Sequence, residues 1–104
     1  MGEFKNKNSK DFPYLKRLEE KMEEAKDRSP KRSHMSKKYN AGASQIAKKM
    51  GEEAVEMVIA SGKESDIDFL NESADVFYYF LLALHDRGFN LKDVLLILKE
   101  RGRK

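Results

Sequence analysis

The chain has 104 residues, 39% of them hydrophobic and 38% charged, with a formal net charge of +3 and no cysteine. That length suits one domain around one core, and the lack of cysteine excludes a disulfide framework, a thiolate zinc centre and a thiol nucleophile. No apolar run reaches the roughly 18 residues that cross a membrane, and the N-terminus has no signal-peptide core, so a cytoplasmic protein without a membrane partner is expected.

Residues 1–10 are polar, basic and aperiodic and read as a flexible arm, leaving 11–104 as a single domain. Asp11 or Phe12 caps a first helix with Pro13 in its first turn, and Leu15, Leu18 and Met22 repeat at helical spacing to about Asp27. Ser29-Pro30 should stop it. Ser33 caps a short helix that ends near Gly42. A longer helix is predicted over 43–60, with an apolar face of Ile46, Met50, Ala54, Val55, Val58 and Ile59, and Ser61-Gly62 is read as its end. Ser65 with Asp68 resembles a capping box and opens a helix to about Arg87, stopped by Gly88. From Ala74 to Leu84 only Asp75 is polar or charged in the main, the tyrosines apart, so this helix should be central and should also meet a second subunit. Asn90 and Asp93 start a last helix, lined by Leu91, Val94, Leu95 and Leu98 and closed by Gly102. No strand-like alternation occurs. The fold class is all-α, a bundle of four or five helices.

The chemistry concentrates in four carboxylates. Glu53 and Glu56, and then Glu72 and Asp75, are each spaced i, i+3, so each pair shares a helix face. The turn between the two helices makes them antiparallel neighbours, with the pairs at comparable distances from it. Like charges so placed repel unless a cation sits between them. Oxygen donors of this kind suit Mg²⁺ or Mn²⁺. Glu52 borders the same cluster, while an exposed acidic helix face is the plain alternative. Charge is also uneven: residues 1–40 carry 12 Lys/Arg and 7 Asp/Glu, and residues 41–104 carry 9 and 11. A basic front half beside an acidic cluster would attract a polyphosphate, although a solvated basic surface explains the balance equally. No zinc finger or RNA-binding signature points to nucleic acid.

From Ser33 to Arg101 the chain resembles the phosphoribosyl-ATP pyrophosphohydrolases of histidine biosynthesis, within the all-α nucleotide pyrophosphohydrolases that include MazG-like proteins. The likeness rests on residues 46–56 (IAKKMGEEAVE), on 72–78 (ESADVFY) and on 87–94 (RGFNLKDV). It implies a symmetric helical homodimer acting on a nucleotide. It also implies Glu53, Glu56, Glu72 and Asp75 as Mg²⁺ ligands, and Glu52 as the residue that positions or deprotonates the attacking water. Lys49 and Lys48 would meet phosphate oxygens, with Ser33 and Tyr78 in the substrate site. The implied reaction hydrolyses phosphoribosyl-ATP to phosphoribosyl-AMP and pyrophosphate. Three positions depart from the family pattern: Ser33-His34-Met35 stands for Ser-Tyr-Thr, Tyr78-Tyr79 for Tyr-His, and Ala25 for an arginine. These departures keep two alternatives open, a MazG-like nucleoside triphosphate pyrophosphohydrolase and a non-catalytic nucleotide- or metal-binding module. His34 reads as a surface or capping residue and Tyr79 as a packing aromatic. Lys37 and Lys38 could reach phosphates, with a solvated basic face as the plainer reading. His85 reads as a cation near a helix C-terminus, where Lys99, Arg101, Arg103 and Lys104 also have no further role.

Overall fold

Local signals place five helices: α1 (Pro13–Ala25), α2 (His34–Ala41), α3 (Ala43–Lys63), α4 (Asp66–Asp86) and α5 (Leu91–Gly102). They come from a computed structural model that describes residues 12–29, 31, 33–63 and 65–102, the Lys63 side chain excepted. The expected arm over 1–10 lies outside the described residues, as do Asp11, Pro30, Arg103 and Lys104. Among the described residues there is no strand, as expected for an all-α chain.

The helix boundaries follow capping chemistry. Phe12 precedes α1 without a side-chain cap, and Pro13 supplies the preset φ of a first helical residue. At α2 the Ser33 hydroxyl accepts from the Ser36 amide at 3.2 Å. Gly42, at φ +102°, ends α2 and also accepts the first amide of α3, that of Ile46, at 3.1 Å. The Ser65 hydroxyl accepts from the Asp68 amide and donates to its carboxylate. Asn90 and Asp93 exchange reciprocal bonds at the start of α5. Gly88, at φ +86°, closes α4 in a Schellman arrangement: Phe89 N–H donates to Leu84 C=O and Gly88 N–H to His85 C=O. Ser61-Gly62 does not end α3, which continues to Lys63. The Ser61 hydroxyl satisfies the Val58 carbonyl from within the helix, and a single glycine costs only about 1 kcal/mol there.

α3 and α4 form an antiparallel hairpin that organises the molecule. Residues equidistant from position 64 meet across it. Ile46 and Leu82 join in the core, Lys49 and Tyr79 line one cavity, and Glu56 and Glu72 bring their carboxylates together. α1 and α2 cover the end of the hairpin remote from its turn. Met22, Ile46, Leu81 and Leu82 are the fully buried centre, with Tyr39, Tyr78 and Tyr79 packed around them. Each such aliphatic side chain contributes about 1.5–3 kcal/mol by leaving water.

Two features differ from the expected pattern. His85 lies in the last turn of α4, as expected, but it is 3% exposed and held by side chains of another helix. Its Nε2 lies 2.9 Å from Glu19 and its Nδ1 faces Glu23, both on α1. Glu19 also accepts from the Leu91 amide at 2.8 Å, tying α1, α4 and α5 at one point. The second difference concerns the apolar face expected on α3. Val55, Val58 and Ile59 are more than half exposed, as are Ile67 and Leu70 on α4, because none of the five described helices covers that end of the hairpin. None of the residues of α5 is buried, and Leu95, Leu96, Ile97 and Leu98 are each about half exposed.

Candidate active site

The hairpin register decides which acids converge. Ligand oxygens of Glu53, Glu56 and Glu72 lie within 4.8 Å of one another. Glu53 and Glu72 are partly buried, and Glu56 stands at the solvent side. Loss of water raises the carboxyl of Glu53 above its ordinary range, and the charges of Glu56 and Asp75 add to that. Glu72 is raised for the same reasons, desolvation first and Glu56 next. One Glu72 oxygen, Oε1, is buried with no hydrogen-bond donor among the described residues; its neighbour there is the Glu56 carboxyl. Three clustered oxygen donors, one of them orphaned, fit a hard divalent cation. Asp75 is exposed and is not part of the mutually close trio, although its charge reaches both Glu53 and Glu72.

One helical turn towards the N-terminus of α3, the chemistry changes sign. Lys49 Nζ is 3.4 Å from Glu52 and 3.9 Å from Glu53. The hydrogen bond to Glu52 holds the ammonium charged to higher pH than usual. Lys49 also lines a cavity of about 200 Å³ between α2, α3 and α4, together with His34, Lys37, Lys38, Gln45 and Tyr79.

The sequence-predicted residues therefore divide. Glu52, Glu53, Glu56, Glu72 and Lys49 lie together, with Asp75 at their edge. Lys48 points to solvent and is not part of the cavity wall. Ser33 serves as the cap of α2. Tyr78 packs against the core, with the Lys38 ammonium 5.7 Å above its ring. The cavity residues His34, Lys37, Lys38, Gln45 and Tyr79 were not legible as a group. The only signal was the spacing of 34, 37, 38 and 41 on one face of α2, which becomes meaningful once that face is known to lie on α3.

The family model described as phosphoribosyl-ATP pyrophosphohydrolase matches residues 15–102, a span that includes the whole acid cluster and the cavity. The chain belongs to the phosphoribosyl-ATP pyrophosphohydrolase family. Among curated relatives, the histidine biosynthesis bifunctional protein HisIE of Buchnera aphidicola subsp. Acyrthosiphon pisum is 37% identical over 97 residues, 93% of this chain and 45% of the relative. The HisIE protein of Escherichia coli K12 is 35% identical over 88 residues, 85% of this chain and 43% of the relative. That of Vibrio cholerae is 36% identical over 88 residues, 85% and 42% respectively. The chain thus spans less than half the length of these bifunctional relatives. No helix among the described residues is long and apolar enough to cross a membrane.

Proposed function

We propose that this member of the phosphoribosyl-ATP pyrophosphohydrolase family hydrolyses phosphoribosyl-ATP to phosphoribosyl-AMP and pyrophosphate, with Mg²⁺, in cytoplasmic histidine biosynthesis. The observation that carries the reading is the Glu53–Glu56–Glu72 cluster inside the matched residues, with Lys49 one turn away. Glu53, Glu56 and Glu72 would hold the ion, with Asp75 beside them. When bound, Mg²⁺ neutralises phosphate charge and makes water more acidic. Glu52 neighbours this cluster in sequence and is exposed, so it can orient water and accept its proton. Water is added across the anhydride between the α and β phosphorus atoms. Lys49, already poised over the cluster, exchanges its carboxylate partners for phosphate oxygens as negative charge collects on the leaving pyrophosphate. Lys48 is assigned a secondary, solvent-side phosphate contact.

The protein is further proposed to act as a homodimer. The supporting observations are the exposed apolar side chains of Val55, Val58, Ile59, Ile67 and Leu70 and, separately, those of Leu95, Leu96, Ile97 and Leu98 on α5. The 78–85 stretch of α4 is largely used inside the chain's own core, so the surface available to a partner lies nearer the hairpin turn and on α5. Size-exclusion chromatography with light scattering decides this, and a monomer at micromolar concentration would refute it.

The test of function is pyrophosphate release with Mg²⁺ from phosphoribosyl-ATP and from a panel of nucleoside triphosphates. Preference for phosphoribosyl-ATP, with loss of at least about 100-fold in Glu53→Gln, is the expected result. Preference for a simple triphosphate would move the protein to the MazG-like activity. Metal binding with no turnover of any substrate would make it a binding module.

A further inference from the structure

We propose that the cavity between α2, α3 and α4 is a second anion subsite, which takes the phosphate of the phosphoribosyl arm while the acid cluster handles the triphosphate. This rests on the function proposed above and adds residues to it. Three observations carry it.

The first is charge without compensation. Arg17, Lys26, Arg28 and Lys49 each have a carboxylate within ion-pair distance. Lys37 and Lys38 have none among the described residues, which is also true of surface cations such as Lys16, Lys48 and Lys92; what sets these two apart is that they line the cavity. The Lys38 ammonium rests over the Tyr78 ring, which holds a cation in place without neutralising it. Two lysines brought to one cavity repel each other, and an anion between them removes that cost.

The second is construction. His34, Lys37 and Lys38 project from one face of α2, and Gln45 and Lys49 from the facing side of α3. Ile46 and Tyr79 form the apolar part of the wall. Ammonium groups above such a wall act on a ligand at lower effective dielectric than on an open surface. Gln45 adds both a donor and an acceptor suited to sugar hydroxyls.

The third is position and size. Lys49 belongs both to this cavity and to the acid cluster, so a single ligand can occupy both places. Gln45 lies two turns before Glu53 on α3, about 12 Å along the axis. That reach exceeds the β and γ phosphates, since β is part of the scissile anhydride and γ is only one further anhydride link away. A volume of about 200 Å³ is that of roughly seven waters at 30 Å³ each. It has room for a phosphate and a ribose.

The test uses Lys37→Gln, Lys38→Gln and the double variant in the full chain with Mg²⁺. Each single change should raise KM for phosphoribosyl-ATP about tenfold, with kcat altered much less. Inhibition by ribose 5-phosphate should be lost and inhibition by pyrophosphate retained. An unchanged KM would overturn the proposal. So would loss of pyrophosphate inhibition with ribose 5-phosphate inhibition intact, because the cavity would then hold the leaving group. If the wild-type chain fails to hydrolyse phosphoribosyl-ATP, the function proposed above fails by itself. The subsite is then judged by NMR titration with ribose 5-phosphate. Shifts at Gln45 and Tyr79 that vanish in the double variant support it, and their absence in the wild type overturns it.

Discussion

Glu19 and His85, 66 residues apart in sequence, meet at 2.9 Å beneath the surface where α1 crosses the end of α4. The imidazole is held between two carboxylates, Nε2 against Glu19 and Nδ1 against Glu23, and each ring N–H can donate to the oxygen it faces. The Leu91 amide shares the same Glu19 oxygen, so one carboxylate anchors three helices.

Replacing His85 by Leu removes one of the two hydrogen-bond partners of the partly buried Glu19 carboxylate and leaves it the Leu91 amide. The expected cost is about 2–3 kcal/mol, below the full range for a buried pair because Glu23 is half exposed. Urea denaturation at pH 7 measures it, and a loss under 0.5 kcal/mol by the same principle would show the contact to be dispensable.

The same contact predicts a pH dependence. The hydrogen bond to His85 lowers the Glu23 carboxyl from its ordinary 4.5. A depressed carboxylate stabilises the fold above its unfolded value and loses that contribution as pH falls through its folded value. The wild-type chain should therefore lose stability below about pH 4.5 more steeply than Glu23→Gln does, on this linkage alone. Parallel slopes of stability against pH between 5 and 3 would contradict the assignment.

Glu72→Gln should separate metal binding from folding. Its raised carboxyl means that the ionised form opposes folding: stability is present below the ordinary range and is lost as pH rises through the folded value. The metal-free variant should melt a few degrees above the metal-free wild type at pH 7, yet gain nothing from added Mg²⁺. Turnover should fall at least about 100-fold. Calorimetric melts with EDTA and with Mg²⁺ give both readings at once.

Ser36→Ala tests how α1 is joined to α2. The buried Ser36 hydroxyl donates to the Ala25 carbonyl at 2.6 Å, which also accepts the Arg28 amide at 3.2 Å. Loss of the side-chain bond should cost about 0.5–1.5 kcal/mol. An unchanged denaturation midpoint would mean that water replaces the hydroxyl without penalty.

Gly88→Ala isolates backbone strain. A Cβ there meets nothing within 4 Å, so the cost comes only from φ +86° and should be about 1–2 kcal/mol. A comparable alanine at Gly51, inside α3 and equally open, should instead stabilise by several tenths of a kcal/mol up to about 1.

The helices and their caps were legible because each rests on neighbours in sequence. Ser33, Ser65, Asn90 and Gly88 act on backbone groups within a few residues, and periodicity separates core from surface along one helix. The metal-ligand candidates were readable for a related reason. Two i, i+3 acid pairs flanking one turn can meet only if the hairpin folds back on itself. The end of α3 was misjudged because Ser61-Gly62 carries a stop signal that the continuing helix outweighs.

Long-range geometry supplied the rest. Periodicity cannot say which helix face stays uncovered, so Val55, Val58 and Ile59 looked like core. Nor can it pair residues whose helices are far apart in sequence. His85 found its carboxylates on α1, and Lys37 and Lys38 became a cavity wall when α2 settled against α3. Local bonds and spacings of a few residues are enough to give the helices, most of their ends and the acids that share a face. Which charges are buried, paired or left unpaired follows from distances between helices, which no local rule contains.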